Sequence, residues 1–416
     1  MSGAVLLLAG AGAAVWIGVL LLPWRPWSCR EAVEPLRPGR PGESSEGGGL
    51  TVVIPARNEV GLIGRTVRAV AAQGRRLRVI VVDDRSSDGT ADAARRAGAA
   101  AGPELEVVTG EPLPPGWTGK VWALEQGVRR VRTPLTLLLD ADILLEPGLL
   151  SALMRIRERE RAALVSVMAS PRMHGFWEKL LMPAFVHYFK LLYPFALSND
   201  PRSRVAAAAG GCVLLETRLF REIGGLTAIR GRIIDDCALA ARVKERLRGE
   251  GERDGRLART WIGLSHGVRS QRAHGSLSGI WSMVARTAFA QLHYSPLFLG
   301  LCTVALLVTH GGPLIGAAAA VGLPPLDGLG RIETIGWLTG LGVVTMVAGY
   351  LPILRFYRRS PLWALLLPAV GILFLFMTWS SAARHRWGTG SRWKGRSYGV
   401  RPPGRSPGLA TPGSRE

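Results

Sequence analysis

Four clusters of charged side chains stand where apolar runs end. Leu137-Leu-Leu-Asp-Ala-Asp-Ile143 closes on two carboxylates at i and i+2. On an irregular strand end, Asp140 and Asp142 can both turn toward one divalent cation such as Mg²⁺ or Mn²⁺. Such a cation prefers oxygen ligands, leaves sites open for diphosphate oxygens and neutralises charge on a departing diphosphate. Val81-Val-Asp-Asp-Arg-Ser-Ser-Asp-Gly-Thr90 runs a buried-type strand into Asp83 and Asp84. An acceptor there can take the imide N–H of uracil. The competing use is an Asx turn and helix cap by Asp88 or Ser87, and both uses are compatible because the cap needs neither Asp83 nor Asp84. In Ile233-Ile-Asp-Asp-Cys-Ala-Leu-Ala240, Asp235 and Asp236 precede a helical pattern. A carboxylate in a partly dry cleft can take a proton from a hydroxyl, whereas the plainer role is to offset the positive end of the helix. Val52-Val-Ile-Pro-Ala-Arg-Asn-Glu59 places Pro55, Arg57 and Glu59 at a strand's carboxyl edge, outside which ligands of open α/β sheets bind.

These groups need a scaffold that brings strand ends together. Leu50–Ile54, Leu77–Val82, Glu106–Val108 and Leu135–Leu139 are short strand-like runs. Helical patterns through Leu62, Ile63, Val67 and Val70, and from Val121 to Arg130, separate them as in βαβ units, which predicts an α/β sheet domain. Flanking it are runs of another kind. Residues 3–24 carry no charge and are long enough for a bilayer core of about 30 Å. They lack the basic start of a cleaved signal, so an uncleaved anchor is expected. Arg25 and Arg30 then place the following segment in the cytoplasm. The expected organisation is a membrane anchor at 1–24, a linker at 25–49, a cytoplasmic catalytic domain at 50–270 and an amphipathic interfacial segment at 271–295. About three membrane segments follow within 296–383, then a basic tail at 384–416. His310-Gly-Gly-Pro313 is expected to break the first of these segments. Arg355, Arg358 and Arg359 lie at one end of the last segment and a basic tail at its other end, so a full crossing would defy the positive-inside rule. A re-entrant segment is one way out.

The chain of 416 residues has a formal net charge of +21, much of it from arginines spread through the middle and tail. Anionic headgroups and a polyphosphate substrate account for that charge more simply than nucleic acid, which is excluded as a partner. The four cysteines show no metal-finger spacing and fit a reducing compartment.

Taken in order, Pro55-Ala-Arg-Asn-Glu59, Val82-Asp-Asp-Arg-Ser-Ser-Asp-Gly-Thr90, Asp140-Ala-Asp142, Gly210-Gly-Cys212 and Asp235-Asp236 resemble the family 2 glycosyltransferases over about residues 50–245. The resemblance implies a GT-A fold, a Rossmann-like mixed sheet, here joined to transmembrane helices. It implies inverting transfer from a nucleotide-sugar, usually a UDP-sugar, with uracil contact at Asp84 and metal and diphosphate contact at Asp140 and Asp142. Acceptor-side contact is implied around Gly210, Gly211 and Cys212, and Asp236 takes the position of the catalytic base beside Asp235.

Gly116-Trp-Thr-Gly-Lys-Val-Trp-Ala123, Val284-Ala-Arg-Thr-Ala-Phe-Ala-Gln291 and Trp393-Lys-Gly-Arg-Ser-Tyr398 further resemble bacterial hopene-associated glycosyltransferases. Lys120 would then be a point charge for the diphosphate, unless it merely starts a helix, and Arg286 would lie on the acceptor side. Processive members of the family carry Gln-x-x-Arg-Trp, and the nearest counterpart here, Met283-Val-Ala-Arg-Thr287, lacks the Trp. Transfer of one sugar to a membrane lipid, a hopanoid by this resemblance, is therefore expected at a bacterial inner membrane. A polyprenyl phosphate or ceramide-like acceptor keeps every motif, and a membrane scaffold with a degenerate domain is the non-enzymatic alternative. The aromatic stretch Phe176–Tyr193 suits either a buried helix or an element docking the site on the bilayer, while His174 and His187 read as ordinary.

Overall fold

The computed structural model describes residues 2–36, 49–74, 77–102, 104–254, 259–315, 329–387, 391–393 and 396–398. In chain order the elements begin with α1 (Ser2–Leu21), β1 (Leu50–Ala56), α2 (Ile63–Ala71), β2 (Leu77–Asp83), α3 (Thr90–Ala101), β3 (Glu104–Thr109) and α4 (Gly119–Val128). Then come β4 (Leu135–Leu139), β5 (Ile143–Leu145), α5 (Leu149–Glu160), β6 (Ala162–Ser170), α6 (Phe176–Leu192), α7 (Phe195–Asn199), β7 (Cys212–Glu216) and α8 (Thr217–Glu222). The last are α9 (Asp235–Asp254), β8 (Arg259–Ser270), α10 (Leu277–Gln291), α11 (Pro296–Leu306), α12 (Leu329–Phe356) and α13 (Leu367–Arg386), followed by a small hairpin of Ser391–Trp393 and Arg396–Tyr398.

Eight strands form one mixed sheet in the order β3-β2-β1-β4-β7-β6-β8-β5. The β3-β2-β1-β4 half is parallel; in the other half β7 runs antiparallel between β4 and β6, β8 is parallel to β6, and β5 is antiparallel to β8. Strands β1 and β4 are buried along their whole length, as continuous apolar runs require when helices cover both faces. One face packs Val67, Leu149 and Leu153, and the other packs Leu124, Phe220 and Val243. Because β2 lies on one side of β1 and β4 on the other, the strand order reverses there and leaves a crevice at the carboxyl ends.

A third cluster joins Ile262 and Leu264 of β8 and Leu181 of α6 to Trp16 of α1, Tyr350 of α12 and Phe374 of α13, so sheet and membrane-type helices share a core. Four helical stretches, Gly3–Leu21, Pro296–Ile315, Thr334–Phe356 and Pro361–Arg386, are long and apolar enough to cross a membrane. Two expectations change. The sequence His310-Gly-Gly-Pro313 does not break its helix: the chain passes through a π turn at Leu307–Gly311 and stays helical to Ile315, because a π turn absorbs the irregularity. The described part of the linker is docked: Val33 N donates to Leu264 O at 2.9 Å, Leu264 N to Glu31 O at 2.9 Å, and Leu36 N to Gly148 O at 3.2 Å. Backbone pairing with an open strand edge needs no side-chain signal. Residues 37–48 and the basic tail beyond 398 lie outside the described residues.

Candidate active site

The crevice at the carboxyl ends of β1 and β4 opens into a cavity of about 1020 Å³. Its polar end is lined by Pro55, Arg57 and Glu59 after β1, by Asp140 and Asp142 after β4, and by Lys120 from the first turn of α4. Gly210, Gly211, Asp235 and Asp236 close it from the β7 and α9 side, and Arg286 reaches it from α10. Sequence positions 55 to 286 thus meet in one chamber.

Lys120 is the hub of the acid cluster. Its Nζ lies 2.8 Å from Asp140 Oδ1 and 3.8 Å from Asp235 Oδ2. Burial works against its charge, but Asp140 and Asp235 outweigh that and hold the ammonium well above its usual range. Burial also pushes Asp140 up, with Lys120 opposing and Asp142 adding to the rise. Asp236 is raised to about 6, first by burial and then by the Asp235 charge; Lys120 and the backbone N–H groups of Cys237 and Gly210 act in the other direction. Those N–H groups donate to its two oxygens at 2.8 Å each, which fixes the carboxylate. Gly210 makes this approach close: a Cβ there would stand 3.1 Å from Lys120 Nζ and 3.2 Å from Asp236 Oδ2, so either side chain would have to shift slightly. A carboxylate held in place and poised near neutrality is the form a general base requires.

Asp142 is tied differently. Arg272, just past β8, donates from Nε to Asp142 Oδ2 at 2.9 Å and from an Nη to Glu59 Oε1 at 2.6 Å. Burial disfavours the guanidinium's charge, yet Asp142 and Glu59 raise its pKa further. The Asp140 side chain is 30% exposed and that of Asp142 11%, so Asp140 offers the more open oxygens. Together they supply two hard donors to a divalent cation, a set that fits Mg²⁺ or Mn²⁺ if ligand oxygens or water complete it. Among the described residues no group of three His, Cys, Asp or Glu forms a protein-only site.

Some sequence-selected residues lie off the cavity wall. Asp83 and Asp84 are buried, with Asp83 accepting from Ser86 N at 3.2 Å and Asp84 Oδ2 lying 3.8 Å from Arg57 Nη1. Asp84 therefore stands behind Arg57, which does line the wall. Cys212 is buried at the start of β7. Arg272 is a site residue that sequence reasoning does not select: β8, which leads to it, carries Ser265, His266, Arg269 and Ser270 and so lacks the apolar-run-then-charge pattern of the other motifs. Away from the charges the wall becomes apolar: Phe185, Tyr188, Phe189 and Leu192 form one face of α6, at i, i+3, i+4 and i+7. The opposite face of α6 is buried, so this helix is both core and chamber wall.

Residues 48–249 match the family model described as "Glycosyltransferase like family 2". A 4,4'-diaponeurosporenoate glycosyltransferase of Staphylococcus aureus (strain USA300) is 37% identical over 94 residues, 23% of this chain and 24% of that protein. The enzyme of the same name from Staphylococcus haemolyticus (strain JCSC1435) is 33% identical over a stretch of the same length. The match thus spans about a quarter of these relatives. Among solved structures, a mannosyltransferase from Pyrobaculum calidifontis in complex with GDP-Man and Mn²⁺ superposes with a TM-score of 0.52 at 18% identity, covering 92% of this chain and 99% of that one. This likeness shows the GT-A fold. The stretch that matches the family model also holds all four acidic motifs, and residues 48–249 are accordingly a family 2 glycosyltransferase domain.

Proposed function

We propose that the chain is an inverting glycosyltransferase that moves one sugar from a nucleotide-sugar, a UDP-sugar, to a membrane lipid. The observation that carries this reading is the continuity of the chamber: Asp140, Asp142 and Asp236 share it with Phe185, Leu306 and Phe374. A volume of about 1020 Å³ is at or above the upper end for a single small ligand, about 300–1,000 Å³, and leaves room for donor and acceptor together.

In the proposed reaction Asp236 takes the proton of an acceptor hydroxyl, its lone pair oriented by the Gly210 and Cys237 N–H groups. The hydroxyl oxygen attacks the anomeric carbon from the face opposite the nucleoside diphosphate, so configuration inverts. Lys120 and Arg272 stand at the carboxylates where the diphosphate would lie and supply fixed positive charge. Asp140 and Asp142 would hold Mg²⁺ or Mn²⁺, which when bound neutralises charge on the leaving diphosphate. The fold neighbour solved with GDP-Man and Mn²⁺ supports a nucleotide-sugar and a divalent metal as ligands. Arg57 would meet the nucleotide, and Asp84, buried behind it and off the chamber wall, would act on the nucleotide only by holding Arg57. The acceptor we propose is a hopanoid, with the catalytic domain in the cytoplasm of a bacterium.

The test is lipid mass spectrometry of cells with and without the chain. Loss of sugar-bearing hopanoids supports the assignment, and loss of a polyprenyl-linked sugar instead removes the hopanoid. Calorimetry on Asp142→Ala should show weaker nucleotide-sugar binding in the presence of Mg²⁺; unchanged affinity would count against Asp142 as a ligand.

A further inference from the structure

Two of the four long apolar helices, α1 and α12, reach the catalytic domain at or just past their carboxyl ends. Helices α1 and α12 lie side by side in the same direction, Ala13 against Gly342 and Leu20 against Gly349. The π turn and its continuation after α11 run opposite to α1, with Val308 beside Gly12 and Gly312 beside Leu8. The carboxyl end of α12 meets the sheet domain, where His266 Nε2 lies 2.6 Å from Phe356 O. Just past α1, Glu31 is paired with Lys190 of α6 at 3.6 Å.

The last apolar segment is built otherwise. At its start, Arg359 donates from Nη1 to Met173 O at 3.5 Å, and the Trp363 ring lies 5.6 Å from Phe176 at the head of α6. At its far end, Phe289 N of α10 donates to Ser381 Oγ at 3.0 Å, and His385 stacks on Tyr294 with ring centroids 4.4 Å apart. The start is held by the catalytic domain, and the far end by α10 and the turn after it, which are tied back to α6 where Tyr193 Oη donates to Gln291 Oε1 at 2.5 Å. Between the two ends Gly371 sits against His310, where a Cβ would overlap the imidazole, and Phe374 packs on Tyr188 at 5.0 Å. Length alone conceals this, since α13 with 20 residues reaches about 30 Å, the thickness of a bilayer core.

We infer that residues 359–386 do not cross the bilayer but return to the face where the catalytic domain sits, and that α13 and α11 form the wall through which the lipid acceptor reaches Asp236. The first half of this inference stands on the contacts above; the second rests on the proposed function. Cys302, Ala305 and Leu306 of α11 and Phe374 and Thr378 of α13 line the chamber. One step around the same helices, Leu301, Val304, Phe376 and Trp379 are exposed and apolar, a surface suited to hydrocarbon. Trp379 Nε1 donates to Thr303 Oγ1 at 3.0 Å and ties the two helices on that outer side. Chamber and hydrocarbon are thus separated by the thickness of this helix pair. The charge conflict in the sequence also disappears, because Arg355, Arg358, Arg359, Arg384 and Arg386 then share one side with the catalytic domain.

The topology is tested on the full chain carrying an epitope after Glu416, in sealed inside-out and right-side-out vesicles. Antibodies to the epitope and to the catalytic domain should both react with the same preparation, and reaction with opposite preparations overturns the in-plane segment. The wall is tested with a photoactivatable hexadecanol and the detergent-solubilised full chain. Label should fall on the chamber-lining Cys302, Ala305, Leu306, Phe374 and Thr378, drop at least fivefold in Thr378→Trp and persist in Thr378→Ala, with gel filtration unchanged for both. Label confined to Leu301 and Phe376, or equal in Thr378→Trp, overturns the wall. If the parent chain binds no nucleotide-sugar while both arms hold, the proposed function falls and the topology and lipid wall stand.

Discussion

The two ends of the chamber are built by different rules. At the polar end each charged group has a partner delivered from elsewhere in the chain: Lys120 on Asp140, Arg272 on Asp142 and Glu59, Gly210 N–H on Asp236. At the membrane end the wall is Phe185, Phe189, Leu306 and Phe374, whose contacts carry no direction. Preorganised charges respond steeply to removal of one partner, because the other is left buried and unpaired. An apolar wall responds weakly and in proportion to volume. On the proposed function, reaction rate would be set at one end and acceptor choice at the other.

Asp236→Asn should break the polar end most severely. The variant keeps the shape and loses the base, so turnover should fall about 10²–10⁴-fold while nucleotide-sugar affinity changes little. Single-turnover transfer together with calorimetry measures both; a rate within threefold of the parent would remove Asp236 from its role. As the proposed base Asp236 would have to be ionised, and its pKa is raised to about 6, so kcat/KM should fall tenfold per pH unit below about 6 and level off above it.

Lys120→Met comes next. Lys120 lowers the pKa of Asp236, so its loss should move that acidic limb upward as well as slow transfer, by roughly 10–100-fold if it also neutralises the leaving diphosphate. The pH profile separates the two effects. A slower enzyme with an unmoved limb would place Lys120 with the diphosphate alone.

The legibility of these two ends differs for a physical reason. Asp140, Asp142, Asp235 and Asp236 were readable because a buried strand or helix start that ends in acid is a local pattern. Arg272 follows a strand of mixed polarity, and its meaning depends on Asp142, 130 residues away, a pairing that no periodicity carries. The docking of residues 31–36 on β8 was invisible because backbone hydrogen bonds do it. For Pro361–Arg386 composition alone reads as a span, and the in-plane reading rests on the contacts at its two ends, which no local pattern carries.

Glu178 joins the two ends mechanically. Its carboxylate at the head of α6 accepts from the N–H groups of His174, Gly175, His274 and Gly275 at 2.9–3.3 Å, tying α6 to the loop that carries Arg272. Burial opposes its charge, but these four donors hold its pKa down to about 2. A depressed carboxylate contributes stability above its unfolded pKa, near 4.5, and loses it as pH falls toward about 2. Glu178→Gln should therefore cost about 2 kcal/mol at neutral pH and progressively less in acid. Thermal unfolding at pH 7 and pH 3 reads this, and an equal loss at both would mean that packing rather than charge is responsible.

The smallest effect is expected at Tyr188→Phe, on the apolar side. Its phenol lies 2.9 Å from His310 Nε2, and the ring lines the chamber beside Phe374. If the membrane end works by shape, removing the hydroxyl loses one hydrogen bond, worth about 0.5–1.5 kcal/mol of stability, and leaves the ring in place. Transfer to the lipid should stay within about threefold of the parent, because differential binding of an apolar body depends on surface that the variant keeps. A loss of tenfold or more in kcat/KM for the lipid, with donor affinity unchanged, would instead make Tyr188 a polar contact for the acceptor. The contrast between the two ends would then fail at the one chamber-lining residue of α6 that carries a hydroxyl.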